Sequence, residues 1–93
     1  MFPPPPTEDP VELADSLCAS LQRALPFVCE GVLTEYPESR YHLLFPLRRS
    51  LPSDMNRDFW GYATSYLKEA GWKMLERKTH RKYLAMVIAP KTS

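Results

Sequence analysis

The chain has 93 residues, of which 44% are hydrophobic and 25% are charged, and its formal net charge is +1. This composition is typical of a folded globular domain and excludes a disordered chain, and the length leaves no room for a second core. No apolar run approaches the ~20 residues of a membrane-spanning helix, and the first residues lack the basic and apolar regions of a secretory signal. We therefore expect one cytoplasmic, intracellular domain over residues 9–91, behind a leader at 1–8.

The charges are distributed unevenly along the chain. Residues 1–36 contain six acidic residues and one arginine, and are net −5, whereas residues 37–93 contain eleven lysines and arginines and five acidic residues, and are net +6. This polarity either attracts an acidic partner to the second part or lets the two parts of the chain attract each other.

The first segment is rich in proline. Residues 3–6 are four consecutive prolines, which favour an extended polyproline II conformation and exclude a helix or a sheet strand. We interpret the segment as a stiff leader. The alternative is a ligand for an aromatic-lined groove, but no lysine or arginine flanks the prolines.

A first helix is predicted to begin after Asp9. Asp9 suits the N-cap, Pro10 the first helical position and Glu12 the third, which together form a capping box. Apolar residues then recur at spacings of three and four up to a stop before Pro26. This apolar stripe, which needs a sheet or a helix to cover it, consists of Ala14, Leu17, Cys18, Leu21 and Leu25.

A hairpin and a second helix follow. Residues 27–36 and 40–49 are rich in β-forming residues, and the turn sequence Pro-Glu-Ser separates them. The second helix is predicted to start at a Ser53 cap and to end at Gly71. Its expected apolar stripe consists of Met55, Phe59, Tyr62, Ala63, Tyr66 and Ala70.

Residues 72–90 are predicted to form a second hairpin that turns at His80. The element order is then helix-hairpin-helix-hairpin (αββαββ), which predicts an α+β fold with a four-stranded antiparallel-type sheet and two helices on one face. This order resembles a circularly permuted ferredoxin-like fold, in which the first strand of a βαββαβ unit is moved to the end of the chain. The second strand of each hairpin is then central, in agreement with the nearly continuous apolar runs HLLFPL and YLAMVIA. Pro46 cannot donate to a ladder and is expected at a strand end or a bulge.

A turn at His80 predicts which sheet face the helices leave uncovered. It pairs Met74 with Met86 and Glu76 with Leu84, and places Trp72 under the helices. The opposite side, called the open face below, is the expected partner-binding surface. Its expected binding residues are Arg40, His42, Leu44, Lys73, Leu75, Arg77, Arg81 and Tyr83.

An apolar patch rimmed by arginine and tyrosine is typical of protein interfaces. We therefore expect a small non-catalytic binding module, namely an accessory, inhibitory or regulatory protein. It would engage a protein partner or a second copy of itself through the open face and the second hairpin. Basic residues would speed the approach, and Tyr83, Leu44 and Leu75 would dock.

Nucleic acid is the alternative ligand for the basic and aromatic hairpin 72–90. Lysine and arginine would contact phosphates, and Tyr83 or His42 would stack on bases. Three features oppose this: no Gly-aromatic RNP1 string is present, Glu30 and Glu76 interrupt the basic residues, and the isoelectric point of about 7.8 is low for a nucleic-acid-binding domain.

No catalytic residue, cofactor site or metal site is expected. The two histidines, His42 and His80, have no carboxylate at a recognisable spacing, and Cys18 and Cys29 do not match a zinc pattern. The expected first-hairpin register places Cys29 and His42 on opposite faces, which excludes a nucleophile and base pair. Three glycines in all exclude a phosphate-binding loop.

Overall fold

The computed structural model describes residues 9–91, and the proposed leader at 1–8 lies outside the described residues. The elements are α1 (Pro10–Ala24), β1 (Val32–Tyr36), β2 (Arg40–Pro46), α2 (Asn56–Glu69), β3 (Trp72–Thr79) and β4 (Tyr83–Pro90). The four strands form one antiparallel sheet in the order β1-β2-β4-β3. The predicted α+β class is confirmed, and so are the central positions of β2 and β4.

Helix α1 begins and ends where the sequence predicts. The Asp9 carboxylate caps it by accepting a hydrogen bond from the Val11 N–H at 2.9 Å, and Pro10 is the first helical residue. Leu25 is the C-cap, directly before Pro26. The predicted apolar stripe of α1 is buried along its whole length, and Leu13 joins it.

Helix α2 differs from its prediction at its start and on its buried face. The expected Ser53 cap is wrong, because a 3₁₀ turn over Ser53–Met55 precedes the helix and no side chain caps either element. Met55 and Tyr62, expected on the apolar stripe, are exposed. The buried residues of α2 are Phe59, Trp60, Ala63 and Leu67.

Trp60 of α2 is buried, and the orientation of the helix gives its indole N–H a hydrogen-bond acceptor. The indole N–H donates to the Thr79 hydroxyl on β3 at 2.8 Å, and that hydroxyl donates to the Asn56 side-chain carbonyl at 2.5 Å. A buried tryptophan N–H without an acceptor is unfavourable, so this relay stabilises the packing of α2 on β3.

Both helices pack on one face of the sheet, and the apolar core lies between them and that face. The central strands contribute facing pairs, Leu43 with Met86 and Phe45 with Leu84, all of them buried. Trp72 is buried and Met74 packs against the same cluster, which confirms the predicted side of these two residues. Pro46 is the last residue of β2, as expected.

Gly31 lies where the core leaves no room for a side chain. A Cβ there would be 2.8 Å from Cε1 of Phe45 and 3.1 Å from Cδ1 of Leu43, and both side chains are fully buried. We expect Gly31→Ala to lower the free energy of unfolding by roughly 1–3 kcal/mol in urea titrations, because the core cannot take the methyl group without shifting.

Gly61 provides the matched control for this substitution. It lies on the exposed side of α2, where a Cβ would meet no atom within 4 Å. Gly61→Ala should raise the free energy of unfolding by up to about 1 kcal/mol, because alanine is the better helix former. Equal changes at the two positions would show that Gly31 is not packed as described.

Candidate binding surface

The open face carries a shallow depression of about 660 Å³. Its floor is formed by Leu44 of β2 and by Ala85 and Val87 of β4. Ala85 is 5% exposed and Val87 8% exposed. Both lie on the face opposite to the two helices of residues 9–91, among the larger side chains that line the depression. The residues around this floor include Tyr36, His42, Glu76, Lys78 and Tyr83.

The strand register arranges this surface in two parallel rows. One row crosses the sheet through Thr34, His42, Val87 and Glu76. The next row crosses it through Val32, Leu44, Ala85 and Lys78. The rows therefore run from uncharged residues at the β1 edge to a carboxylate and an ammonium group at the β3 edge.

Two stacked aromatic pairs border the depression. The rings of Tyr36 and His42 are 5.7 Å apart between centroids, and those of His80 and Tyr83 are 4.4 Å apart. The His80 side chain is held at the hairpin tip because its Nδ1 accepts the Lys82 N–H at 3.1 Å. The Lys78 ammonium lies 5.9 Å from the centroid of the Tyr83 ring. Each expected aromatic anchor thus has one ring face already in contact with a neighbour.

A β-bulge at Leu75 changes which residues of β3 face the open side. Before the bulge Met74 pairs with Ile88, and after it Glu76 pairs with Val87 and Arg77 with Met86. The extra residue reverses the side on which each later side chain lies. The predicted pairings of Met74 with Met86 and of Glu76 with Leu84 are therefore both wrong, because the sequence-based register takes β3 as a regular strand and centres the turn on His80.

Arg77 is the predicted site residue that the bulge moves to the other side. It lies on the helix side, with its guanidinium carbon 5.9 Å from the centroid of the Trp60 ring. Lys78, its neighbour in the chain, takes the place on the open face that was predicted for Arg77. The expectation that the Arg77 side chain faces the open side is therefore corrected, although Arg77, like the core residue Met86 with which it pairs, contributes to the lining of the depression.

The other predicted site residues fall into two groups. Leu75 lies in the bulge and is 44% exposed, and Arg81 lies in the hairpin tip, where its carbonyl accepts the Ser50 hydroxyl at 3.3 Å. The remaining predicted residues lie on the open face, on β2, β3 and β4, and are Arg40, His42, Leu44, Lys73 and Tyr83. The Arg40 Nε–H donates to the Pro37 carbonyl at 3.1 Å, which holds its guanidinium near the first turn.

Four residues that border this surface were missing from the predicted site: Tyr36, Glu76, Lys78 and His80. Tyr36 could have been found, because the expected first-hairpin register already pairs it with Arg40. Glu76 and Lys78 depend on the bulge, for which the run KMLERK contains no glycine or other local signal. His80 lies at the predicted turn, where the sequence contains no signal for the stacking of its ring on Tyr83.

The two cysteines are free thiols. Cys18 is buried on α1, with its Sγ 3.6 Å from the Cys29 carbonyl oxygen, to which it donates. Burial raises the pKa of the Cys18 thiol, and the nearby Glu30 and Asp15 carboxylates act in the same direction. The Cys18 thiol is therefore protonated at neutral pH and is a poor nucleophile.

Within residues 9–91 no group of three or more histidine, cysteine, aspartate or glutamate side chains is placed to hold a metal ion. The described part of the chain also contains no helix that is long and apolar enough to cross a membrane. Comparisons with protein-family models, with curated proteins and with solved structures find no match to this chain.

The thiols should differ in reactivity. We expect Cys29 to react several-fold faster than Cys18 with iodoacetamide at neutral pH, because Cys18 is buried and its raised pKa lowers the thiolate fraction. Mass spectrometry of Cys18→Ser and Cys29→Ser variants gives the two rates separately. Urea should make the rates similar, and similar rates in the folded protein would contradict the described burial.

Proposed function

We propose that the protein is a non-catalytic binding module of accessory or regulatory type, whose open face binds an acidic segment of a protein partner. The observation that supports this is a basic rim of the open face beside a shallow apolar floor. Lys78 lines the depression next to Glu76, while Arg40 and Lys73 lie on the same face outside its lining. Arg40, Lys73 and Lys78 extend from β2 and β3 on the open face, where Glu76 is the acidic residue of the rows described above. Such a rim attracts negatively charged groups and speeds their approach.

The floor of the depression supports docking after approach. Leu44, Ala85 and Val87 offer apolar contact, and the tyrosines at Tyr36 and Tyr83 are of the residue type that often anchors interfaces. A cavity of about 660 Å³ has room for a few side chains of a partner. We therefore propose a partner segment that combines acidic residues with one or two apolar ones.

A second copy of the chain suits this face less well than an acidic segment. Two open faces brought together would place two sets of Arg40, Lys73 and Lys78 close to each other, and the unfavourable like-charge contacts would oppose the association.

Nucleic acid is the competing ligand, since phosphates also suit a basic rim. The stacking that would favour it is restricted, because the Tyr83 ring already stacks on His80 and the His42 ring on Tyr36. A base would have to use the remaining ring face at each position or displace the neighbour.

We also propose that the architecture is a circularly permuted ferredoxin-like fold. The order β1-β2-β4-β3 is the one obtained when the first strand of a βαββαβ unit is moved to the chain end. That architecture hosts many unrelated functions, so the proposed binding role rests on the surface and not on the fold.

Adjacent residues on β3 allow a matched test of the binding surface. Lys78→Glu and Arg77→Glu make the same charge change on opposite sides of the sheet. Phage-displayed random peptides selected on the immobilised protein should be enriched in acidic residues. Binding of the synthesised peptides should weaken by about tenfold or more in Lys78→Glu, but should change by less than about twofold in Arg77→Glu.

Labelled single-stranded RNA is tested in parallel by fluorescence anisotropy at about 50 and 150 mM salt. RNA binding could persist at the higher salt and be lost in Lys78→Glu, while no acidic peptides are selected. That outcome would identify nucleic acid, and not a protein, as the ligand of the open face. Selection of peptides without acidic residues would contradict the proposed acidic partner. Equal effects of Lys78→Glu and Arg77→Glu would contradict the proposed binding surface.

A further inference from the structure

The two edge strands of the sheet differ in their protection against pairing with another chain. β3 carries Lys73, Glu76, Arg77 and Lys78 and contains the bulge at Leu75. Charged residues and bulges are the features by which edge strands avoid further pairing. β1 pairs regularly over its five residues, has one charged residue, Glu35, and leaves Val32 56% exposed and Tyr36 39% exposed. Within residues 9–91 no strand pairs with the outer edge of β1, so this edge is open to a strand of another chain.

The sequence of β1 is self-complementary in antiparallel pairing about Thr34. Val32 then lies opposite Tyr36 of a second copy, and Thr34 lies opposite Thr34. Pairs of a β-branched with an aromatic residue and pairs of threonines are both favourable across strands. Leu33 lies opposite Glu35, so no two like charges face each other. A second copy therefore matches β1 in its side chains as well as in its main chain.

We propose that the chain forms a reversible homodimer by antiparallel pairing of β1 with β1 of a second copy. Pairing about Thr34 joins the two four-stranded sheets into one sheet of eight strands. It keeps the open faces on the same side, because Val32, Thr34 and Tyr36 of each copy pair with residues of their own face. The association uses the strand edge, whereas the floor of the depression lies on β2 and β4. Tyr36 is the residue that belongs to both surfaces, because it borders the depression and lies opposite Val32 of the second copy.

The contact area sets the strength of this dimer. Stable interfaces bury about 1,200–2,000 Å², and pairing of one short strand buries less. The dimer should therefore exchange with monomer, and its fraction should rise with protein concentration. Its effect on binding would be to bring the two depressions together at their Tyr36 and His42 borders, where one acidic partner could contact both.

Substitution of Thr34 by residues of opposite charge tests the dimer. Sedimentation equilibrium of the wild-type protein should give a mass that rises from 10.8 kDa towards twice that value as concentration increases. Thr34→Lys and Thr34→Glu should each weaken self-association by about tenfold or more, because like charges then lie opposite each other at the two-fold axis. Mixing the two variants in equal amounts should restore association, since lysine then faces glutamate.

Leu75→Lys provides the control, because it adds the same charge to an exposed apolar residue at the other edge and should leave the mass unchanged. Circular dichroism checks that each variant is folded. A wild-type protein that stays monomeric at all concentrations overturns the proposal, and so does a dimer that ignores the Thr34 variants or is not restored by mixing them. Lys78→Glu should still dimerise, so failure of the open-face proposal remains distinguishable from failure of this one.

Discussion

The structure depends on the one-sided packing of the sheet. Both helices lie on the face that carries Leu43, Phe45, Leu84 and Met86, and these large side chains pair across the two central strands. On the opposite face β4 has Ala85 and Val87, which neighbouring side chains largely cover. The middle of β4 is thus apolar on both faces, although the described helices cover only one, and Ala85 and Val87 are smaller than Leu84 and Met86 on the other side. These smaller residues form the floor of the depression, between larger side chains such as Tyr83.

The bulge at Leu75 separates β3 into two parts with different surroundings. In the first part Trp72 and Met74 contribute to the core, as the alternation predicts. In the second part the helix side receives Thr79, which accepts the Trp60 indole N–H, and Arg77, which lies over the Trp60 ring. The open side receives Glu76 and Lys78. One inserted residue therefore supplies both the polar partner of a buried indole and the charged border of the depression.

The core packing and the bulge explain which parts of the fold and of the candidate site the sequence could predict. The start of α1, its buried stripe, the turn between β1 and β2 and the central position of β4 follow from local rules, because caps, prolines and apolar runs act within a few residues. The buried side of α2 depends on a contact between Trp60 and Thr79, which lie 19 residues apart. The charged border depends on a bulge, which a regular alternation cannot represent. Most of the fold was thus predictable, whereas the border of the site was predictable only where the strand is regular.

The arrangement of charge bears on the choice between an acidic partner and attraction within the chain. The acidic residues Glu12 and Asp15 are exposed on α1, which packs on the helix side of the sheet. Lys73 and Lys78 lie on the other side, so the sheet and the helix layer stand between the two sets of charges. Packed layers are about 10 Å apart, while the screening length at physiological salt is about 8 Å. The two sets of charges are therefore more than a screening length apart and attract each other only weakly through solvent. Lys73 and Lys78 are exposed, and since the pairing surface on β1 bears no lysine or arginine, association through that edge would leave both lysines exposed.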